Sequence, residues 1–171
     1  MSKRINRRDF VKTIAMAGAA TAMMPKSLFS SPVVYKQIKL GFIGTGMRGQ
    51  WMLWLAAKYP EVQIPAICDI DDGMIESALK ILKDAGKPNP RIYKNGDEDF
   101  RNMVANENLD GVYIATPWEW HHPMAIAAMK HGIHVGTEVP AALTVKDCWD
   151  LVHTSERTGK HCMIMENVCY R

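Results

Sequence analysis

The sequence predicts an α/β fold, a doubly wound parallel sheet with helices on both faces. Three observations carry that prediction. Six short apolar runs alternate with segments whose apolar residues recur at helical spacing. A glycine turn, Gly44-Thr-Gly46-Met-Arg-Gly49, leads out of the first run into the first helix. Asp69 closes the second run, twenty residues after Gly49.

The first strand is Gln37–Ile43, and the apolar helix after it runs from Met47 to Tyr59. Gly44 allows the tight turn, Gly46 lets a pyrophosphate approach the backbone, and Gly49 lets the helix sit close on the sheet. The free N–H groups and positive dipole end of that helix face the phosphates. The second strand, Val62–Cys68, ends at Asp69, whose carboxylate accepts from both ribose hydroxyls and repels a 2′-phosphate. This is a Rossmann-type pocket that favours NAD over NADP. A structural turn followed by a helix-capping Asp is the alternative.

Further elements follow in order. Asp71–Gly86 has helical spacing at Met74, Ile75, Ala78, Leu79 and Leu82, and Pro88 and Pro90 break the chain after it. Arg91–Tyr93 is a short strand, Glu98–Asn106 a short helix, and Gly111–Ala115 a hydrophobic strand. Pro117–Pro123 reads as a loop, Pro123–His131 as a helix stopped by Gly132, and Ile133–Val139 as a strand. Val145–Thr158 is a helix stopped by Gly159, and His161–Met165 is the last strand.

The 171 residues are enough for one domain with a real core, and 47% hydrophobic with 23% charged residues is ordinary for a soluble protein. Residues 1–36 hold seven Lys/Arg and one acid, a balance of +6. The net charge of +3 therefore leaves −3 on the rest. A mildly acidic body argues against nucleic acid as a partner.

The first residues read as an address. Arg7-Arg8-Asp-Phe10-Val-Lys12 is a twin-arginine pattern, and the uncharged run Thr13–Met24 after it is too short to span a bilayer. Export by that route carries folded proteins, so the expected location is the bacterial periplasm, with no stable membrane anchor. A disordered basic tail is the alternative. Cys68, Cys148, Cys162 and Cys169 form no C-x-x-C, and buried free thiols are the expectation. No metal site is expected, because no H-E-x-x-H and no carboxylate cluster is visible. His121 and His122, as neighbours on a helix, would point apart.

In open sheets of this type the ligand sits beyond the carboxyl ends of the strands. The candidates are then Gly44–Gly49, Asp69, the segment from Thr116 to His121, Glu138–Pro140 and Glu166-Asn167. Two indoles, an acid and two imidazoles crowd Trp118–His122. Either indole walls the nucleotide cleft or packs against the next helix. His121 is a cleft residue or a simple helix start.

At these positions the chain resembles a known family. Gly41-Phe-Ile-Gly-Thr-Gly46, Ala115-Thr-Pro117, Ala128-Met-Lys-His-Gly-Ile-His-Val135 and Glu138-x-Pro140 resemble the glucose–fructose oxidoreductase-like (Gfo/Idh/MocA) superfamily. Trp118-Glu-Trp-His121, Gly136-Thr-Glu-Val-Pro-Ala-Ala142, Cys148-Trp-Asp-Leu-Val152 and Glu166-Asn-Val-Cys-Tyr170 look like glycoside hydrolase family 109. That resemblance implies an NAD-dependent α-N-acetylgalactosaminidase. Its NAD contacts would be Met47, Arg48, Asp69, Trp118, Glu119, Trp120, His121, Glu138, Val139 and Asn167, with Tyr170 near the substrate. It implies transient oxidation at C3 of the sugar, elimination, addition of water and re-reduction, an exception to two-carboxylate glycosidases.

Sugar dehydrogenases of the wider superfamily carry Glu-Lys-Pro where this chain has Glu138-Val139-Pro140. Valine neither donates nor accepts a proton, which argues against a lysine-assisted dehydrogenase. The resemblance also implies a second, α+β substrate domain that is absent from these residues and holds most catalytic groups, which stay unassigned here. The expected organisation is a signal over 1–30, a linker over 31–36 and a truncated NAD-binding domain over 37–171. A sugar dehydrogenase and a non-catalytic NAD-binding module are the other readings, and self-association is left open.

Overall fold

The structure is a computed structural model that describes the backbone of residues 36–170 and side chains through Val168. The twin-arginine segment, linker residues 31–35 and the side chains of Cys169 and Tyr170 lie outside the described residues.

Six strands and five helices alternate: β1 (Ile38–Ile43), α1 (Met47–Ala57), β2 (Val62–Cys68), α2 (Asp72–Asp84), β3 (Arg91–Tyr93), α3 (Phe100–Asn106), β4 (Gly111–Ile114), α4 (Trp118–Lys130), β5 (His134–Thr137), α5 (Val145–Thr158) and β6 (Cys162–Ile164). A 3-10 turn, Asn167–Tyr170, follows. All strand pairs are parallel, in the order β3-β2-β1-β4-β5-β6. The order reverses between β1 and β4, so a crevice opens at the carboxyl ends of those two strands.

Strand alternation divides the core into two. Phe42, Ile67 and Tyr113 pack with Leu53, Ile75 and Leu82 of α1 and α2. Their neighbours Ile43, Cys68, Val112 and Ile114 pack on the other face with Phe100, Met103, Met124 and Met129. Each fully buried large side chain of this kind contributes about 1.5–3 kcal/mol.

Helix ends follow local chemistry. The Asp71 carboxylate accepts from the Met74 amide at 2.9 Å and caps α2, which buries Ile75, Ala78 and Leu82 at helical spacing. Thr144 caps α5 by accepting from the Asp147 amide at 3.1 Å and donates its hydroxyl to the Asp147 carboxylate. Gly159 ends α5 at φ +65°.

The structure differs from the sequence expectations at Trp118–Pro123 and at Cys148. Trp118–Pro123 is helix, not loop, because α4 starts directly after Pro117 and carries Pro123 inside it. A proline there removes one helical hydrogen bond near the start of the helix, which the packing of Met124, Ala125, Ala128 and Met129 outweighs. Cys148 is exposed, whereas the buried residues of α5 are Leu151 and Thr154. Cys68 is buried, and burial pushes its thiol up to about 12.

Candidate functional site

Gly44 sits at φ +86°, a left-handed conformation, and a Cβ there would stand 2.6 Å from the Ala115 carbonyl oxygen. A Cβ on Gly49 would stand 2.0 Å from the Gly44 carbonyl oxygen. Both glycines are therefore demanded by the chain itself. Gly46 is different. Its backbone, φ −62° and ψ −172°, suits any residue, and a Cβ there would meet nothing within 4 Å. Among the described residues nothing requires a glycine at this position, which leaves the bare backbone open to a ligand's approach. No side chain caps α1, which leaves its first-turn amides open to an anion. The residues present thus fit a nucleotide phosphate.

Asp69 closes the turn from below. Its Oδ2 accepts from the Thr45 amide at 2.5 Å and from the Thr45 hydroxyl at 2.9 Å, and its Oδ1 accepts from the Asp71 amide at 3.0 Å. A carboxylate offers about four acceptor positions, so about one remains for a ligand hydroxyl. The expected bonds to both ribose hydroxyls would need two such positions. Buried Thr45 takes a share of that capacity to hold the glycine turn against β2.

Two cavities flank Ala115 and Thr116 at the β1/β4 crevice. One, of about 290 Å³, is lined by Gly44, Gly46, Asp69, Ile70, Asp97 and Trp120, among others. The other, of about 180 Å³, is lined by Arg48, Trp118, His121, Glu138 and Val139. Met47, Glu119 and Asn167 line neither cavity, and all three are exposed. Trp120 lines the first cavity and packs edge-on to Phe100 of the preceding helix α3, with ring centroids 6.1 Å apart. A larger depression of about 650 Å³ lies at the opposite end of the strands, around Val62 and Lys87. The Lys87 ammonium there donates to the Tyr59 and Val62 carbonyls, so that end is stitched to its own backbone.

The second cavity contains an ion pair between residues 90 apart in the chain. Arg48 Nε donates to Glu138 Oε1 at 2.6 Å, and the Tyr113 hydroxyl donates to the same oxygen. The hydrogen bond to Glu138 holds the Arg48 guanidinium above its ordinary range, and burial followed by Glu138 pushes the Tyr113 phenol up. Tyr113 was not among the sequence candidates. A phenol inside the aliphatic strand Gly111–Ile114 is the only sequence signal for it.

His121 is buried at the start of α4. Nε2 lies 2.8 Å from the Thr116 carbonyl oxygen and Nδ1 lies 2.7 Å from that of Pro140, so the ring ties the loop after β4 to the loop after β5. A neutral imidazole donates to one of these oxygens, and the protonated ring donates to both. His122 points away, as adjacent helical residues must. Its ring nitrogens lie 3.8 Å from Asp147 and 3.9 Å from Asp150, so the fold gathers a histidine–carboxylate cluster where the sequence showed none. Both carboxylates are already engaged, Asp147 by the Thr144 hydroxyl and Asp150 by Lys146 at 2.8 Å.

Residues 38–166 match the model of the oxidoreductase family with an NAD-binding Rossmann fold. The chain is 46% identical, over 96% of its length, to a glycosyl hydrolase family 109 protein of Parabacteroides distasonis. It is 42% identical, again over 96% of its length, to an alpha-N-acetylgalactosaminidase of Tannerella forsythia. It spans 39% of the length of each. Among solved structures, an NAD-binding protein from Listeria innocua superposes with a TM-score of 0.64 at 29% identity, over 78% of this chain and 36% of that one. A scyllo-inositol dehydrogenase from Lactobacillus casei, solved with bound cofactor NAD(H) and scyllo-inositol, shares the fold with a TM-score of 0.65 at 23% identity, over 76% of this chain and 36% of that one.

Proposed function

The chain belongs to the Gfo/Idh/MocA oxidoreductase family with an NAD-binding Rossmann fold, and from that premise we propose that it is the NAD-binding part of an exported glycosidase acting on α-N-acetylgalactosaminides. The observation that carries the cofactor half is Gly46, a glycine that the fold itself does not need, beside the uncapped start of α1. The substrate half is supported by the likeness to the Tannerella forsythia enzyme.

In this reading the backbone around Gly46 and the first-turn amides of α1 hold the pyrophosphate. The free acceptor position of Asp69 takes a ribose hydroxyl, and its charge disfavours a 2′-phosphate, which selects NAD over NADP. Arg48, Trp118, Glu138 and Val139 border the other half of the cofactor. When bound, NAD supplies the hydride chemistry for an oxidation at C3 of the sugar that is reversed after elimination and water addition. Val139 is exposed to the cavity and carries no proton, so the base and acid for the elimination come from elsewhere. The chain spans 39% of those relatives' length, and in this reading none of its own residues is assigned to the sugar site or to proton transfer.

The test is a chimera in which residues 1–171 replace the matching segment of the Tannerella forsythia enzyme. With NAD and a chromogenic α-N-acetylgalactosaminide it releases the chromophore without accumulating NADH, while residues 1–171 alone bind NAD and release nothing. Net NADH accumulation would identify a dehydrogenase instead. NAD binding with no turnover in the chimera would leave a non-catalytic module.

A further inference from the structure

We propose that Tyr113 is a positioning residue for the cofactor, acting through Glu138 to hold Arg48 at the edge of the second cavity. The proposal rests on the nucleotide reading above and adds a residue that neither the glycine turn nor the strand-end rule identifies.

Tyr113 is a rigid anchor. It sits mid-strand in β4, is buried, and lies beside Phe42 of β1 with ring centroids 5.6 Å apart. On its other side its register partner in β5 is Gly136, where a Cβ would come within 3.8 Å of the ring. Its hydroxyl donates to Oε1 of Glu138, the residue just after β5. Strand alternation puts Tyr113 on the α1 face, the face from which Arg48 comes.

Glu138 is the middle link. Oε1 takes both protein donors, Tyr113 Oη and Arg48 Nε, so Oε2 keeps its acceptor capacity. Arg48 donates its Nε to Glu138 and also interacts directly with the Tyr113 hydroxyl. Arg48 is a long, partly exposed side chain that is costly to order. Fixing it in advance from a buried phenol removes that cost from the binding step, the general advantage of preorganisation. Tyr113 itself lines neither cavity, so its effect on a ligand passes through the residues its hydroxyl touches, Glu138 first and Arg48 beside it.

A double-mutant cycle on the full 171-residue chain tests this, with NAD as the probe and isothermal titration calorimetry as the readout. Losing a hydrogen bond to a charged group weakens binding about tenfold, so Tyr113→Phe in the wild-type background should raise the Kd about tenfold. In an Arg48→Ala background the same change should alter the Kd less than about twofold, because the tether has nothing left to hold. A purely structural role would weaken binding equally in both backgrounds, and that result overturns the proposal, as does an unchanged Kd for Tyr113→Phe. If Tyr113→Phe does not fold, Tyr113→Met, of similar bulk and without a hydroxyl, is measured in the same two backgrounds with the same expected pattern, and equal losses again overturn the proposal. Absence of NAD binding by the wild-type chain overturns the nucleotide reading itself, which keeps the two failures apart.

Discussion

Three glycines in one six-residue motif do different physical work. Gly44 and Gly49 are internal necessities, one for its positive φ and one for a 2.0 Å approach to a backbone oxygen. Gly46 has room around it and an ordinary backbone. Substitutions should therefore separate folding from binding. Gly49→Ala forces backbone apart and should cost about 3 kcal/mol or more in urea unfolding. Gly46→Ser supplies a good helix cap and should leave stability within about 1 kcal/mol, yet weaken NAD binding at least about tenfold by filling the approach to the backbone. Equal effects of the two changes on stability would contradict this division. The turn's dependence on Asp69 is also a residue-scale fact, since Thr45 is anchored to it by both its amide and its hydroxyl.

At the scale of elements, the strands position the site and the helix starts decorate it. α3 shows how one polar contact organises such a start. The buried Asp99 carboxylate accepts from the Asn95 amide at 2.8 Å and the Asn102 side chain at 2.7 Å, and these bonds, the Asn102 one first, hold it below its ordinary pKa. A depressed folded-state pKa stabilises the protein above the unfolded carboxylate range, and that contribution is lost as pH falls through the folded value. Asp99→Ala should thus cost about 1–3 kcal/mol at pH 7, and the gap between variant and wild type should close as the pH falls below the carboxylate range. Urea titrations at both ends of that range measure it, and a gap that persists at low pH would refute the assignment. α4 teaches the complementary lesson. Its proline pair hides a helix that starts five residues before Pro123, and that helix carries Trp118, Trp120 and His121 to the crevice.

For the whole molecule, the strand order places the β1/β4 reversal under the glycine turn, so the crevice has the α1 start on one side and the loops after β4 and β5 on the other. His121 joins those two loops, and the Tyr113–Glu138–Arg48 chain joins them to α1. The route of the protein through the cell is a property of the whole chain too. Among the described residues no helix is long and apolar enough to cross a membrane. If the N-terminal segment directs twin-arginine export, replacing Arg7 and Arg8 together by lysine should retain the protein in the cytoplasm, with the unaltered chain recovered in the periplasm on fractionation. Equal recovery of both in the periplasm would discard that route.

Much of this was legible from residues alone. The alternation of apolar runs, the glycine spacing and Asp69 determine a parallel Rossmann sheet and its ligand edge, because strand burial, turn conformation and helix capping are local demands that each segment states for itself. Other features depended on folding. The sharing of Asp69 with Thr45, the meeting of Arg48 with Glu138 across 90 residues, the engagement of both His121 nitrogens and the part played by Tyr113 are contacts between segments distant in the chain. Periodicity tells which face a side chain takes, but hydrogen bonds are short and directional. Which partner a polar group finds is decided only when the sheet order sets those faces side by side.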